Sequence, residues 1–257
     1  MQLKNIQENM TVVSHNLIAR NIYELVLRGE ITRNMKTPGQ FVHIRVGDSS
    51  EFMLRRPISI CEVNSDHETL TCLYRADGKG TQALAKAKAG DTIDILAPLG
   101  NGFPVEAAAD TALLVGGGIG VPPLYELSKQ LNARGIRTIH VLGFNSQDDI
   151  FYADKFAALG ETHIATADGS YGTKGFVTDV IKALPKTYDT FYTCGPIVMI
   201  KAIQEALPDT EGYVSLEERM GCGIGACYAC VCKVDNDEGY VKICSDGPVF
   251  RKGELEL

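Results

Sequence analysis

The period of the hydrophobic pattern changes near Pro104, and that change limits what each part of the chain can fold into. Before it, short alternating segments, "MTVVSHNLIA", "IYELVLRG", "GQFVHIRV", "RRPISICEV" and "TLTCLYRA", are separated by Gly, Pro, Asn and Asp. A period of two marks half-buried strands, and strands at this spacing predict a small antiparallel barrel. "TQALAKAKAGDTIDILAPLG" adds a short Ala-rich helix, a Gly-Asp turn and one more strand, and "NGFP" closes the unit.

From Thr111 onward, apolar strand runs ("TALLVGG", "TIHVLGF", "THIATA", "DTFYTCG") alternate with helical stretches ("VPPLYELSKQLNARG", "DDIFYADKFAALG", "KGFVTDVIKALP", "PIVMIKAIQEAL"). That alternation predicts a parallel sheet with helices on both faces. After Pro208 the helical pattern stops, and Cys, Gly and short strand-like pieces continue to "GELEL". The expected fold class is therefore β plus α/β: an antiparallel β-barrel over 1–104, a parallel-sheet α/β nucleotide domain over 105–210 and a small cysteine module over 211–257.

Charge and hydropathy exclude several functions. A formal net charge of -7 with no Lys/Arg-rich run repels a phosphate backbone, so nucleic acid is not an expected partner. No apolar run approaches the roughly 18 to 20 residues of a membrane span. The polar start "MQLKNIQENM" lacks the basic and apolar regions of a signal peptide. A cytoplasmic protein with reduced thiols is expected.

Four of the eight cysteines fall in "EERMGCGIGACYACVC", residues 217–232. Thiols a few positions apart on one loop make poor disulfide partners. Structural zinc usually takes two CxxC pairs, and this chain has one, Cys227 and Cys230. Cys222-x4-Cys227-x2-Cys230 with a distant Cys244 is instead the plant-type 2Fe-2S spacing. Gly221, Gly223 and Gly225 allow the positive φ that a loop wrapped around a cluster requires. Strand alternation points Cys232 away from Cys230, so it is expected to be a small buried residue.

A 2Fe-2S centre moves one electron and performs no organic chemistry, so donor and acceptor must lie elsewhere. "LVGGGIGVPPLYEL", 114–127, is a strand-to-helix turn whose backbone N–H groups can receive a pyrophosphate, or which simply packs closely. It departs from the usual dinucleotide fingerprint at Pro123, and the next strand ends in "GFNSQDD" with no clear ribose-binding acid. In "RRPISI", 55–60, Arg56 beside Pro57 and Ser59 reads as a phosphate clamp or as a strand edge.

A barrel with "RPIS", then an α/β domain with "GGGIG" and "YTCGP", resembles the ferredoxin reductase superfamily. The added "CGIGACYACVC" narrows the resemblance to the electron-transfer subunits of the class 1B dihydroorotate dehydrogenases. That resemblance implies FAD in the barrel, with Arg56, Pro57, Ile58 and Ser59 at its ribityl and pyrophosphate. Leu73, Tyr74 and Arg75 would line the flavin, and Gly80 and Thr81 would meet the pyrophosphate. NAD would use Gly116, Gly117, Gly118, Ile119 and Gly120, together with Cys194, Gly195 and Pro196. Cys194 lies near the nicotinamide ring or is a small residue packed at a strand end. The iron ligands would be Cys222, Cys227, Cys230 and Cys244.

The resemblance further implies an FMN-containing catalytic subunit that oxidises dihydroorotate to orotate, and a heterotetramer of two copies of each subunit. Electrons would run through 2Fe-2S and FAD to NAD+. Asp148 and Asp149 would repel a 2'-phosphate, and no Arg or Lys stands in that segment, which favours NAD over NADP. No catalytic acid or base is expected: His43, His67 and His163 read as ordinary barrel, turn and strand residues, and Glu217 and Arg219 read equally as contacts to the flavin or the partner subunit or as surface charges and are left out of the sites. Two alternatives stay open. One is a flavin and iron-sulfur subunit serving another partner, sulfhydrogenase-like or glutamate synthase-linked; the other is a zinc-stabilised binding module without catalysis.

Overall fold

A computed structural model describes residues 7–47, 50–234 and 239–257, so the first six residues of the polar start lie outside it. The first unit contains β1 (Gln7–Ala19), β2 (Ile22–Arg28), β3 (Phe41–Ile44), β4 (Arg56–Asn64), β5 (Thr69–Arg75), helix α1 (Lys79–Leu84) and β6 (Thr92–Leu99). The six strands close into an antiparallel barrel in the order β1-β2-β5-β4-β3-β6. Along β6 the alternation reads directly as packing: Ile93, Ile95 and Ala97 face the interior, while Asp94 and Leu96 between them are only half-buried. Met10, Leu25, Leu27, Val42, Ile44 and Leu70 fill the same core.

The second unit begins with β7 (Thr111–Gly117) and continues with α2 (Pro123–Ala133), β8 (Arg137–Phe144), α3 (Ala153–Ala157), β9 (Glu161–Thr166), β10 (Thr173–Lys174), α4 (Val177–Ala183), β11 (Thr190–Cys194) and α5 (Ile197–Ala206). Beyond it come β12 (Glu211–Ser215), β13 (Val231–Lys233), β14 (Tyr240–Lys242) and β15 (Val249–Arg251). The sheet order is β10-β9-β8-β7-β11-β12-β15, with every pair parallel except β12 and β15. β7 is buried throughout because both faces are covered. Ala112 and Leu114 meet Leu124, Leu127 and Leu131 of α2, whereas Leu113 and Val115 meet Val177, Val180 and Ile203 of α4 and α5.

The sheet does not end at residue 210, because β12 and β15 come from the segment expected to form a separate module. The cysteine loop and the β13-β14 hairpin are an insertion between these two strands. A third core joins all parts: Phe41 and Leu99 of the barrel, Ile200 and Val214 of the α/β unit, and Met220, Cys230, Ile243 and Cys244 of the insertion.

The barrel is also tied to α2, where Lys129 bridges Glu62 of β4 at 2.8 Å and Glu126 at 3.5 Å. The Val63 N–H donates to Glu126 at 3.1 Å. Among the described residues, no helix is long and apolar enough to cross a membrane.

Candidate functional site

The four expected ligand thiols form two pairs. Cys227 stands beside Cys222, and Cys230 beside Cys244. Backbone N–H groups are aimed at the sulfurs: Cys227 N to Cys222 Sγ at 3.3 Å, Ile224 N to the same sulfur at 3.5 Å, and Gly225 N to Cys244 Sγ at 3.2 Å. Burial pushes the Cys222 thiol up, but these N–H donors and the Cys227 thiol outweigh it and bring it down to about 7. Donors converging on thiolates are what an anionic cluster needs, so the residues present fit a 2Fe-2S group.

Among the described residues, no three His, Cys, Asp or Glu side chains converge on a point where a single metal ion would sit. A two-iron core takes two thiolates per iron, and the thiols here pair two and two. Gly223 and Gly225 have φ of +72° and +79°, whereas Gly221 keeps an ordinary φ. Cys232 is half-buried and packs against the third core, with its thiol pushed up by burial.

A barrel residue underlies this loop. His43 is 0% exposed and sits on β3 between Pro57 of β4 and Leu96 of β6. A Cβ on Gly223 would stand 2.5 Å from its Nδ1, so only glycine lets the loop lie on the ring. Burial, reinforced by Arg55, pushes the imidazole down to about 4.

The motif residues of the barrel converge on a cavity of about 260 Å³. Pro57, Ile58, Ser59, Leu73, Tyr74 and Arg75 line it together with Phe41, Leu216, Glu217 and Met220. The hydroxyl of Tyr74 is held by His15 at 2.8 Å. Arg56 and Gly80 touch: a Cβ on Gly80 would lie 2.6 Å from the Arg56 guanidinium carbon. Among the described residues, Arg56 donates only to the Leu54 and Arg55 carbonyls and has no carboxylate partner, so its charge is free for a phosphate. Thr81 caps Gly78 through its hydroxyl. Arg56, Gly80 and Thr81 stand outside the lining of this cavity, whose apolar walls with Arg75 among them fit a flavin ring.

A second cavity, of about 680 Å³, is lined by Gly117, Gly118, Ile119, Gly120, Gly195 and Pro196, with Phe176, Ile197 and Val198 on its other sides. Gly116 lies behind the loop against Val121 and Leu124, and the Cys194 side chain is fully buried. Burial, reinforced by Glu217, pushes the Cys194 thiol up, and the Ser215 hydroxyl opposes it. The two cavities share Arg75, Ile119 and Glu217. Burial pushes the Glu217 carboxyl up against the pull of Arg75.

One expectation about this cavity needs correction. Asp148 and Asp149 are not free of cations, because Arg20 of the barrel reaches them at 2.7 and 3.7 Å. The segment itself contains no Arg or Lys, but the fold brings one across from 128 residues away. Glu217, His43 and Arg20 were all missed as functional candidates. Only Glu217 carried a sequence signal, its place immediately before the cysteine loop.

A closed barrel, a nucleotide-type α/β sheet and a thiol loop inserted in that sheet define a modular redox protein of the ferredoxin-reductase type. The model of the iron-sulfur cluster binding domain of dihydroorotate dehydrogenase B matches residues 217–256, and that of the oxidoreductase NAD-binding domain matches residues 114–205. The dihydroorotate dehydrogenase B (NAD+) electron transfer subunit of Lysinibacillus sphaericus is 59% identical over 98% of this chain and 99% of its own. That of Bacillus mycoides is 57% identical, again over 98% and 99%.

Among solved structures, a chain of the NADH-dependent reduced ferredoxin-NADP oxidoreductase is 30% identical, with a TM-score of 0.86 over 100% of this chain and 91% of that one. Phthalate dioxygenase reductase, 17% identical, shares the fold at a TM-score of 0.65 over 98% of both chains. The chain belongs to the family of electron transfer subunits of dihydroorotate dehydrogenase B (NAD+). It is an oxidoreductase subunit with iron-sulfur and NAD-binding domains.

Proposed function

We propose that the chain carries electrons from a catalytic partner to NAD+ through three groups held in a row. FAD fits the first cavity, with Arg56, Gly80 and Thr81 at its pyrophosphate, Pro57, Ile58 and Ser59 along its ribityl chain, and Leu73, Tyr74 and Arg75 at its ring. NAD fits the second cavity on the Gly117–Gly120 loop and Gly195-Pro196, with Gly116 and Cys194 supporting that loop from behind. Cys222, Cys227, Cys230 and Cys244 hold 2Fe-2S.

When bound, the flavin exchanges a hydride with nicotinamide and single electrons with the cluster, which joins two-electron to one-electron traffic. The chain's own residues bind, orient and shield these groups. Arg56 neutralises phosphate, and His15 fixes Tyr74 in the cavity wall. One observation carries this reading: the two cavities meet at Arg75, Ile119 and Glu217, while Phe41, Leu216 and Met220, which also line the first, belong to the core that holds Cys230 and Cys244.

The partner in this reading is an FMN-containing subunit that oxidises dihydroorotate in pyrimidine biosynthesis, assembled as a heterotetramer of two copies of each chain. Exposed Ile224, Tyr228 and Val231 beside the cysteines supply an apolar surface for it. All eight cysteines are free, which supports work in the reducing cytoplasm. The test is to mix the loaded chain with NADH and orotate, with and without the partner. Orotate reduction is expected only with the partner; reduction by the isolated chain would overturn the proposal.

A further inference from the structure

His43 is the one imidazole among the described residues with both ring nitrogens buried and unpartnered. The other buried histidine, His140, is satisfied by Ser128 at 2.8 Å and Thr162 at 2.9 Å. His43 faces the backbone carbonyls of Cys222 and Arg55, but no hydrogen bond of ordinary geometry forms to either. A buried orphan of this kind is costly and calls for a function. Its surroundings point to one, because the ring supports Gly223, which follows the first cysteine of the loop. On the same strand pair, its neighbour Pro57 belongs to the wall of the first cavity.

We propose that His43 is a positioning residue for the iron-sulfur centre: its ring backs the Cys222–Gly223 segment and, once the cluster is bound, donates its N–H to the Cys222 carbonyl it already faces, thereby setting the cluster's reduction potential. The inference rests on the cluster reading above. Reduction adds negative charge to the centre, so a fixed donor beneath it favours the reduced form. Beside the shared apolar core, His43 then gives the barrel and the cysteine loop a polar link, since its strand pairs with Pro57 and its ring meets Gly223.

The test uses the loaded full-length chain with His43→Leu, which keeps an apolar filling, and His43→Gln, which restores an N–H donor. Flavin content and thermal melting report whether the barrel is intact, and an electron-paramagnetic-resonance redox titration reports the cluster. The Leu variant is expected to shift the reduced-to-oxidised ratio up to about tenfold toward oxidised, the worth of one hydrogen bond, which is about 59 mV for one electron. Altered g-values should accompany the shift, and the Gln variant should recover most of it. If the Leu variant retains flavin but no cluster, recovery of the cluster by Gln supports the proposal. Loss of the cluster from both, with flavin retained, overturns it, as does a Leu variant with its cluster at the wild-type potential. A wild-type chain that takes up no cluster would instead sink the cluster reading itself.

Discussion

Gly120 offers a sharp perturbation of nicotinamide binding, because its environment is backbone rather than side chain. A Cβ there would lie 2.5 Å from the Cys194 carbonyl carbon and 2.6 Å from Gly195 Cα. That is about 1 Å inside ordinary contact. Neither wall can rotate away, and the φ of Gly120 is not in the left-handed region, so the effect of Gly120→Ala is steric alone.

The two loops that line the second cavity must therefore separate. Overpacking of this kind costs about 1–3 kcal/mol. Set against binding, that is about 5- to 150-fold weaker NADH affinity. The assay is stopped-flow bleaching of the flavin against NADH concentration, with flavin and iron content measured alongside. The half-saturating NADH concentration should rise within that range while both contents stay at wild-type levels. An unchanged half-saturation with a stable, fully loaded variant would refute the placement of NADH against this loop.

Other outcomes follow from the same geometry. Cys230→Ser should abolish iron content and electron delivery beyond the chain, while NADH still bleaches the flavin; iron analysis and anaerobic NADH titration check this. Replacing Asp148 and Asp149 by Ser should release Arg20 and raise the NADPH-to-NADH preference at least about tenfold, the worth of one charge-assisted hydrogen bond, read from steady-state kinetics with both cofactors. Burial holds His140 down at about 3, below the unfolded value of about 6.5. The unfolded chain then binds the proton first, so its contribution is complete above about pH 6.5 and is lost as pH falls toward 3, by up to about 1.4 kcal/mol per unit. Urea unfolding at pH 7 and pH 5 should show a smaller loss for His140→Gln than for wild type.

The barrel was legible because segments such as β6 alternate cleanly, and the α/β sheet because β7 and β11 are continuously buried runs between helical patterns. The cysteine spacing was legible because ligation is local: three of the four thiols share one loop. The end of the sheet was not legible. β12 and β15 pair across the whole cysteine insertion, and no local period marks a partner so far away in sequence. The same limit hid Arg20 behind Asp148 and His43 behind Gly223. Each residue reads as ordinary in its own strand and acquires a role only where another element arrives. Glu217 was ambiguous for a related reason, since a carboxylate before a loop looks like surface until two cavities are seen to share it.

The central claim is that a nicotinamide site, a flavin site and a cluster lie in contact order within this one chain. Anaerobic purification followed by a visible spectrum and NADH titration tests it most directly. The account predicts a yellow-brown protein whose flavin and iron-sulfur absorbances both bleach on adding NADH, with no other protein present. A colourless protein holding one zinc, or a flavin that bleaches while the cluster stays oxidised, would contradict it.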